Sequence, residues 1–173
     1  MIKQLVPGEF CLNECRCCCK FSQEKSIWSP ALLNEEIEGL LKNNIPPSIL
    51  SENKKIRLIA FPQKSCDLPS HVEDIFICPF LNPKDSKCKI YTLRPFECQI
   101  YPFLINRRKE KIFLAVDLGC AFIKKNLDSQ EFKEYVRYLE EFFNNTTEIA
   151  RLKNNPQLIQ AYDEASDLLE LKV

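Results

Sequence analysis

Five cysteines fall within nine residues, Cys11-Leu-Asn-Glu-Cys15-Arg-Cys17-Cys18-Cys19, and five more follow at Cys66, Cys78, Cys88, Cys98 and Cys120. A thiol that loses its proton becomes a soft thiolate ligand, so a chain with ten cysteines is most simply organised around zinc, iron or an iron-sulfur cluster. Disulfides are the competing use. They need an oxidising compartment, and the start Met1-Ile-Lys-Gln-Leu-Val-Pro-Gly-Glu-Phe contains no apolar run of signal-peptide length. Adjacent residues such as Cys17, Cys18 and Cys19 also meet disulfide geometry poorly, because bridged β-carbons must face each other. The expectation is a cytoplasmic metal-binding protein.

The rest of the composition narrows the chemistry. With 24 basic and 24 acidic residues the chain has no net field to draw it to nucleic acid or to an anionic membrane, so neither is expected as a partner. Only Gly8, Gly39 and Gly119 are glycines, which leaves no P-loop and no dinucleotide fingerprint. A single histidine, His71, argues against a histidine-rich catalytic centre. At 173 residues, 45% of them apolar, the chain can bury a real core.

The elements that position the cysteines follow from spacing. Ser29-Pro30 ahead of Leu32, Leu33, Ile37, Leu40 and Leu41 predicts a helix over 30–43. Lys55–Phe61 and Asp74–Cys78 are short branched apolar runs, stopped by Pro62 and Pro79, and predict strands. Phe103–Asn106 and Ile112–Val116 flank the charged stretch Arg107–Lys111, the pattern of a hairpin with a longer loop whose second strand leads to Cys120. Asp128 with Glu131 resembles a capping box before Phe132, Tyr135, Val136, Leu139, Phe142 and Phe143. Asn155-Pro156 predicts the start of a last helix carrying Leu158, Ile159, Tyr162, Ala165 and Leu169. The fold class expected is α+β: short strands and loops around a cysteine-rich metal centre over 1–125, with a helical extension over 126–173. That helical third, striped with leucine and aromatics, is read as scaffold or as a surface for a protein partner.

The middle of the chain reads Cys78-Pro-Phe-Leu81, then Cys88-Lys-Ile-Tyr-Thr-Leu-Arg94-Pro-Phe-Glu-Cys98-Gln-Ile-Tyr-Pro-Phe103. With the amino-terminal cluster, this arrangement over about residues 10–121 resembles the zinc- or iron-chelating CxxCxxCC domain, the YkgJ-type cysteine-cluster family. Position by position, the resemblance implies metal ligands at Cys11, Cys15, Cys18, Cys19, Cys78, Cys88, Cys98 and Cys120, with Cys17 and Cys66 as extras. Two departures stand out: Gln99 where the family commonly has arginine, and no Pro-Gly after Cys120.

Neighbouring side chains such as those of Cys18 and Cys19 tend to point apart, so a single mononuclear centre does not suit both, and more than one metal ion is expected. Many thiolates with few divalent ions leave excess negative charge, which calls for amides and cations nearby. Arg94 is placed to help from a short helix that Thr92 would cap, and Tyr91 and Tyr101 carry hydroxyls within reach of sulfur. The cofactor expected is an iron-sulfur cluster, of the 4Fe-4S type among others, or zinc.

Three functional classes stay open. One is a metalloprotein of this kind; one is a metal-handling or cofactor-assembly protein whose surplus Cys17 and Cys66 pass metal onward; one is a noncatalytic, zinc-stabilised interaction module. A distant similarity to the cysteine-cluster region of flagellin lysine N-methylases implies a fourth possibility, S-adenosylmethionine-dependent modification of protein lysine. Cys11-x3-Cys15-x2-Cys18 also has the spacing of radical S-adenosylmethionine enzymes, but the chain lacks their alternating strand and helix units and their glycines.

Overall fold

A computed structural model describes residues 2–15, 18–62 and 75–173, with the Cys15 side chain left aside. Cys17, Cys66 and His71 lie outside the described residues. The chain is α+β, as its sequence implies, with two three-stranded antiparallel sheets and helices concentrated toward the carboxyl end. No helix among the described residues is long and apolar enough to cross a membrane.

The first helical turn, α1 (Gly8–Phe10), runs on into a π-helical stretch, Cys11–Cys15. Strand β1 (Lys20–Phe21) then joins β3 (Ile75–Ile77), which also pairs with β2 (Ile59–Phe61) in the order β1-β3-β2. Helix α2 spans Asn34–Lys42, starting later than the predicted residue 30. Ser29 does not cap it: the Ser29 hydroxyl donates to the Ile56 carbonyl, and Ala31 bridges Lys55 in extended conformation. Leu32, Leu33 and Leu40 are still buried, so the apolar periodicity marked the right residues but the helix boundary was decided by the Ala31–Lys55 pairing.

The second sheet is built on a hairpin. Strands β4 (Phe103–Arg108) and β5 (Lys111–Val116) pair in register from Phe103↔Val116 to Arg108↔Lys111. The connection is therefore tighter than the longer loop expected, and Lys109 takes a left-handed φ of 54° to close it. Helix α3 (Phe96–Ile100) precedes the hairpin and α4 (Ala121–Asn126) follows it.

Helix α5 (Gln130–Phe143) buries Phe132, Tyr135, Leu139 and Phe143 on one face, as the spacing predicts. Its cap is Ser129, whose Oγ accepts from the Phe132 N–H at 3.1 Å, and not the Asp128–Glu131 box. Helix α6 (Thr146–Asn154), absent from the sequence expectation, is capped by the Asn145 side chain accepting from the Thr147 N–H.

The predicted last helix does not form. Pro156–Leu158 makes a single 3-10 turn and Ser166–Leu171 is strand β6, antiparallel on the outer edge of β5. The reason lies in β5: Leu114, Ala115 and Val116 are fully buried, and a buried strand needs hydrogen-bond partners on both edges. That demand outweighs the helical spacing of Leu158, Ile159, Tyr162, Ala165 and Leu169.

Asn106, also fully buried, locks this crossing: its Nδ2 donates to Asp167 Oδ1 at 2.6 Å and its Oδ1 accepts from the Tyr162 N–H at 2.8 Å. Replacing Asn106 with leucine leaves the buried Tyr162 N–H without its acceptor and Asp167 Oδ1 without its donor, although Arg108 still holds Asp167 Oδ2. The expected cost is about 1–3 kcal/mol of unfolding free energy, read from the shift of the urea midpoint.

Two main apolar cores result, with a small third cluster of Leu104, Ala115, Tyr162 and Ala165 on the other face of the hairpin sheet. The larger gathers Phe96 and Ile100 of α3, the inner residues of β4 and β5, and the faces of α4, α5 and α6. The smaller gathers Leu32, Leu40, Ile56, Leu58, Ile75, Ile77, Phe80 and Leu81 with Cys78, and Cys19 and Cys88 pack against it.

Candidate metal centre

Strand pairing brings the first two thiols together. Lys20 lies opposite Ile77, and the Cys78 N–H donates to the Cys19 carbonyl at 3.0 Å, so Cys19 and Cys78 sit at the same end of neighbouring strands. After Cys78 the segment Pro79-Phe80-Leu81 turns tightly, with the Leu81 N–H donating to the Cys78 carbonyl. Leu81 bridges Cys88, and the Lys89 N–H returns to the Phe80 carbonyl at 2.8 Å, which brings the third thiol back over the turn. Cys98 arrives from α3, whose Phe96 and Ile100 anchor in the larger core. Cys19, Cys78, Cys88 and Cys98 thus come within electrostatic reach of one another, and none is in a disulfide.

The electrostatics of this set are those of close thiols, of which Cys78 alone is shifted toward the thiolate. Cys19 donates its thiol proton to Cys78, which raises the Cys19 pKa and lowers that of Cys78. The Phe80 and Leu81 amides and the charge of Lys89 further favour the Cys78 thiolate, against its burial. Burial raises Cys88, with the Ile90 amide and Arg94 pulling the other way. Cys98 is raised well above its ordinary value by burial first and then by Cys78. Amide N–H groups aimed at the sulfurs of Cys78 and Cys88 are what metal thiolates require from their surroundings, so the donor set fits zinc or iron. Among the described residues, no three cysteine, histidine or acidic side chains already stand in the arrangement that holds an ion. The thiols are gathered around one place without being closed on it.

Cys18 and Cys120 belong to a different neighbourhood. Both act on the Tyr101 hydroxyl, whose pKa is raised mainly by burial and then by Cys18, Asp117 and Cys120. Cys120 is buried at the amino end of α4, while Cys18 is exposed. The Cys11–Cys15 stretch docks alongside the same helix: Phe10 meets Phe122 edge-on at 5.2 Å, and Lys125 Nζ lies 3.0 Å from Glu14 Oε2. Cys18 thus bears on Tyr101, while its neighbour Cys19 is hydrogen-bonded to Cys78.

Several expected neighbours do something else. Tyr101 donates to Asp117 Oδ2 at 2.7 Å and not to sulfur. Thr92 lies in the 3-10 turn Tyr91–Leu93, and α3 begins after Pro95 with no side-chain cap of its own. Arg94 stacks on the Tyr91 ring at 4.1 Å and reaches the cluster only as a favourable charge on Cys88. Gln99 folds back so that its Nε2 donates to the Arg94 carbonyl at 3.0 Å, bracing the turn before α3.

Sequence reasoning missed Glu36 and Glu97. Glu36 accepts from the Leu33 N–H and the Phe96 N–H, and Glu97 accepts from the Ala31 N–H. Burial pushes Glu36 up to about 7 and Glu97 up to about 8; their amide partners and Lys55, beside Glu97, oppose this. Only the adjacency of Glu97 to Cys98 signalled either one in the sequence. The larger described cleft, about 830 Å³, is lined by Glu24–Ile27, Ser51–Arg57 and Gln157 among others and by no cysteine.

A family model described as a "putative zinc- or iron-chelating domain", CxxCxxCC, matches residues 10–121. An uncharacterized protein of Methanocaldococcus jannaschii is 35% identical over 66 residues, a stretch that covers 36% of each chain. No solved structure matches.

Proposed function

Since the chain belongs to the CxxCxxCC family of zinc- or iron-chelating domains, we propose that it binds metal in two separate four-thiolate centres. The inner centre is formed by Cys19, Cys78, Cys88 and Cys98, and the outer by Cys11, Cys15, Cys18 and Cys120. What supports this reading is that Cys18 and Cys120 both bear on the buried Tyr101 hydroxyl, whereas Cys19, which follows Cys18 directly, is hydrogen-bonded to Cys78 and feels Cys98 and Cys88.

Four thiolates around one place suit a zinc ion, a single iron or a four-iron cluster. In the inner centre the Phe80, Leu81 and Ile90 amides with Lys89 and Arg94 offset the negative charge that such a set retains. A role in holding metal, structural or for transfer, is the reading that the buried Cys78 and Cys120 and the partly buried Cys19, Cys88 and Cys98 support.

The test is elemental and sulfide analysis of protein purified without oxygen, with Cys88→Ser and Cys18→Ser beside the wild type. Each variant is expected to keep about half of the wild-type metal, since each touches one of two closed sites. Complete loss in both would mean one shared cluster, and full retention in both would remove these cysteines from the ligand set. A brown chromophore with stoichiometric sulfide identifies iron-sulfur; colourless protein with zinc identifies zinc.

A further inference from the structure

Helix α3 is only five residues long, carries Cys98 at its middle, and has no side-chain cap of its own at its amino end. An isolated helix of that length does not hold its shape in water. Its first amide, Phe96 N–H, is met instead from another element: Glu36 of α2 accepts it through Oε1 at 2.6 Å, while Glu36 Oε2 accepts from the Leu33 N–H at 2.9 Å. In return Glu97 of α3 reaches across to the lead-in of α2, where its Oε2 accepts from the Ala31 N–H at 2.6 Å. Each element thus lends a carboxylate to the backbone of the other.

This crossing lies where the two cores meet. Ala31, Leu33 and Phe96 belong to the larger core, Leu32 and Leu40 to the smaller, and Cys98 is flanked by the residues that make the exchange. Cys19, Cys78 and Cys88 are tied to one another by strand pairing and by the turn after Cys78. Cys98 has no such tie, so the distance from its sulfur to the other three depends on how α3 is held.

We propose that Glu36 and Glu97 are positioning residues for Cys98: a reciprocal pair of carboxylates fixes α3 against the lead-in to α2 and thereby sets the metal affinity of the inner centre. This rests on the inner centre proposed above. What matters is the acceptor oxygen, not the charge. Glu97 uses one oxygen on Ala31, which the carbonyl of glutamine reproduces; Glu36 uses both, and glutamine replaces only one.

The experiment loads the full chain with zinc under reducing conditions and titrates it with a chromophoric chelator, well below the unfolding temperature. In Glu97→Ala and Glu36→Ala one of the two zinc sites is expected to weaken by about 10- to 100-fold, the range typical for groups that orient ligands. Glu97→Gln should match wild type and Glu36→Gln should fall between. Leu171→Ala, a destabilised control in the larger core opposite Ile112 and away from the thiols, should leave zinc affinity unchanged.

Wild-type affinity in folded Glu97→Ala overturns the proposal, as does an equal loss in Leu171→Ala. Should the alanine variants fail to fold, the glutamine pair decides: weakening at Glu97 without weakening at Glu36 overturns it, and tighter zinc in both shows an effect of charge alone and overturns it too. A wild-type chain that binds no zinc or iron overturns the metal-centre reading itself, before any variant is compared.

Discussion

Removing the metal with a chelator is expected to unfold the smaller core while the larger one stays folded. The sheet of the smaller core consists of strands of two and three residues, too short to be stable by their own pairing. Its apolar cluster is also the lesser of the two, and Cys19, Cys78 and Cys88 are among the groups that close it. Where a structural metal holds such a unit, binding supplies roughly 10–16 kcal/mol, far more than this core can supply alone. The larger core has β4 and β5 paired along six residues, β6 on the next edge, and the 14-residue α5 packed against them.

Hydrogen exchange read by mass spectrometry checks this. After chelation, protection should vanish over 19–61 and 75–93 and persist in β4, β5 and α5. Unchanged protection in the first segments would mean that the thiols are not the fastening of that core.

The second large effect is expected at Phe103. Its side chain is fully buried at the start of β4, stacked on Phe132 at 5.8 Å and tilted against Tyr135 at 5.2 Å. Truncation to alanine removes a whole ring from the contact between the hairpin and α5, with neighbours fixed on a sheet and a long helix that cannot collapse into the space. Phe103→Ala should lower unfolding free energy by about 3–5 kcal/mol, measured by urea denaturation of the metal-loaded protein. A loss under about 1 kcal/mol would show that the site repacks and that the hairpin and α5 are less tightly joined than their contacts imply.

The fold was readable where local pattern and tertiary demand agreed. The apolar runs Phe103–Asn106 and Ile112–Val116 around a charged stretch marked the hairpin, and the spacing Phe132, Tyr135, Leu139, Phe143 marked α5. Pattern failed where long-range pairing overrode it. Ser29-Pro30 looks like a helix start, yet Ala31 is taken by Lys55, and Leu158–Leu169 has helical spacing, yet the open edge of β5 draws Ser166–Leu171 into the sheet.

For the candidate site, the sequence by itself determined the chemistry: ten thiols in short-spaced motifs, with Arg94 among them. Only the tertiary structure decided which sulfur faces which. Cys98, brought in by α3, comes under the influence of Cys78 twenty residues earlier, and Cys18 bears on Tyr101 while Cys19 is hydrogen-bonded to Cys78. The exchange between Glu36 and Glu97 likewise involves backbone amides about sixty residues away, which no local pattern encodes. Residue type carries ligand chemistry, whereas the grouping of ligands depends on strand register and on how a short helix is held, and both are set by contacts distant in the chain.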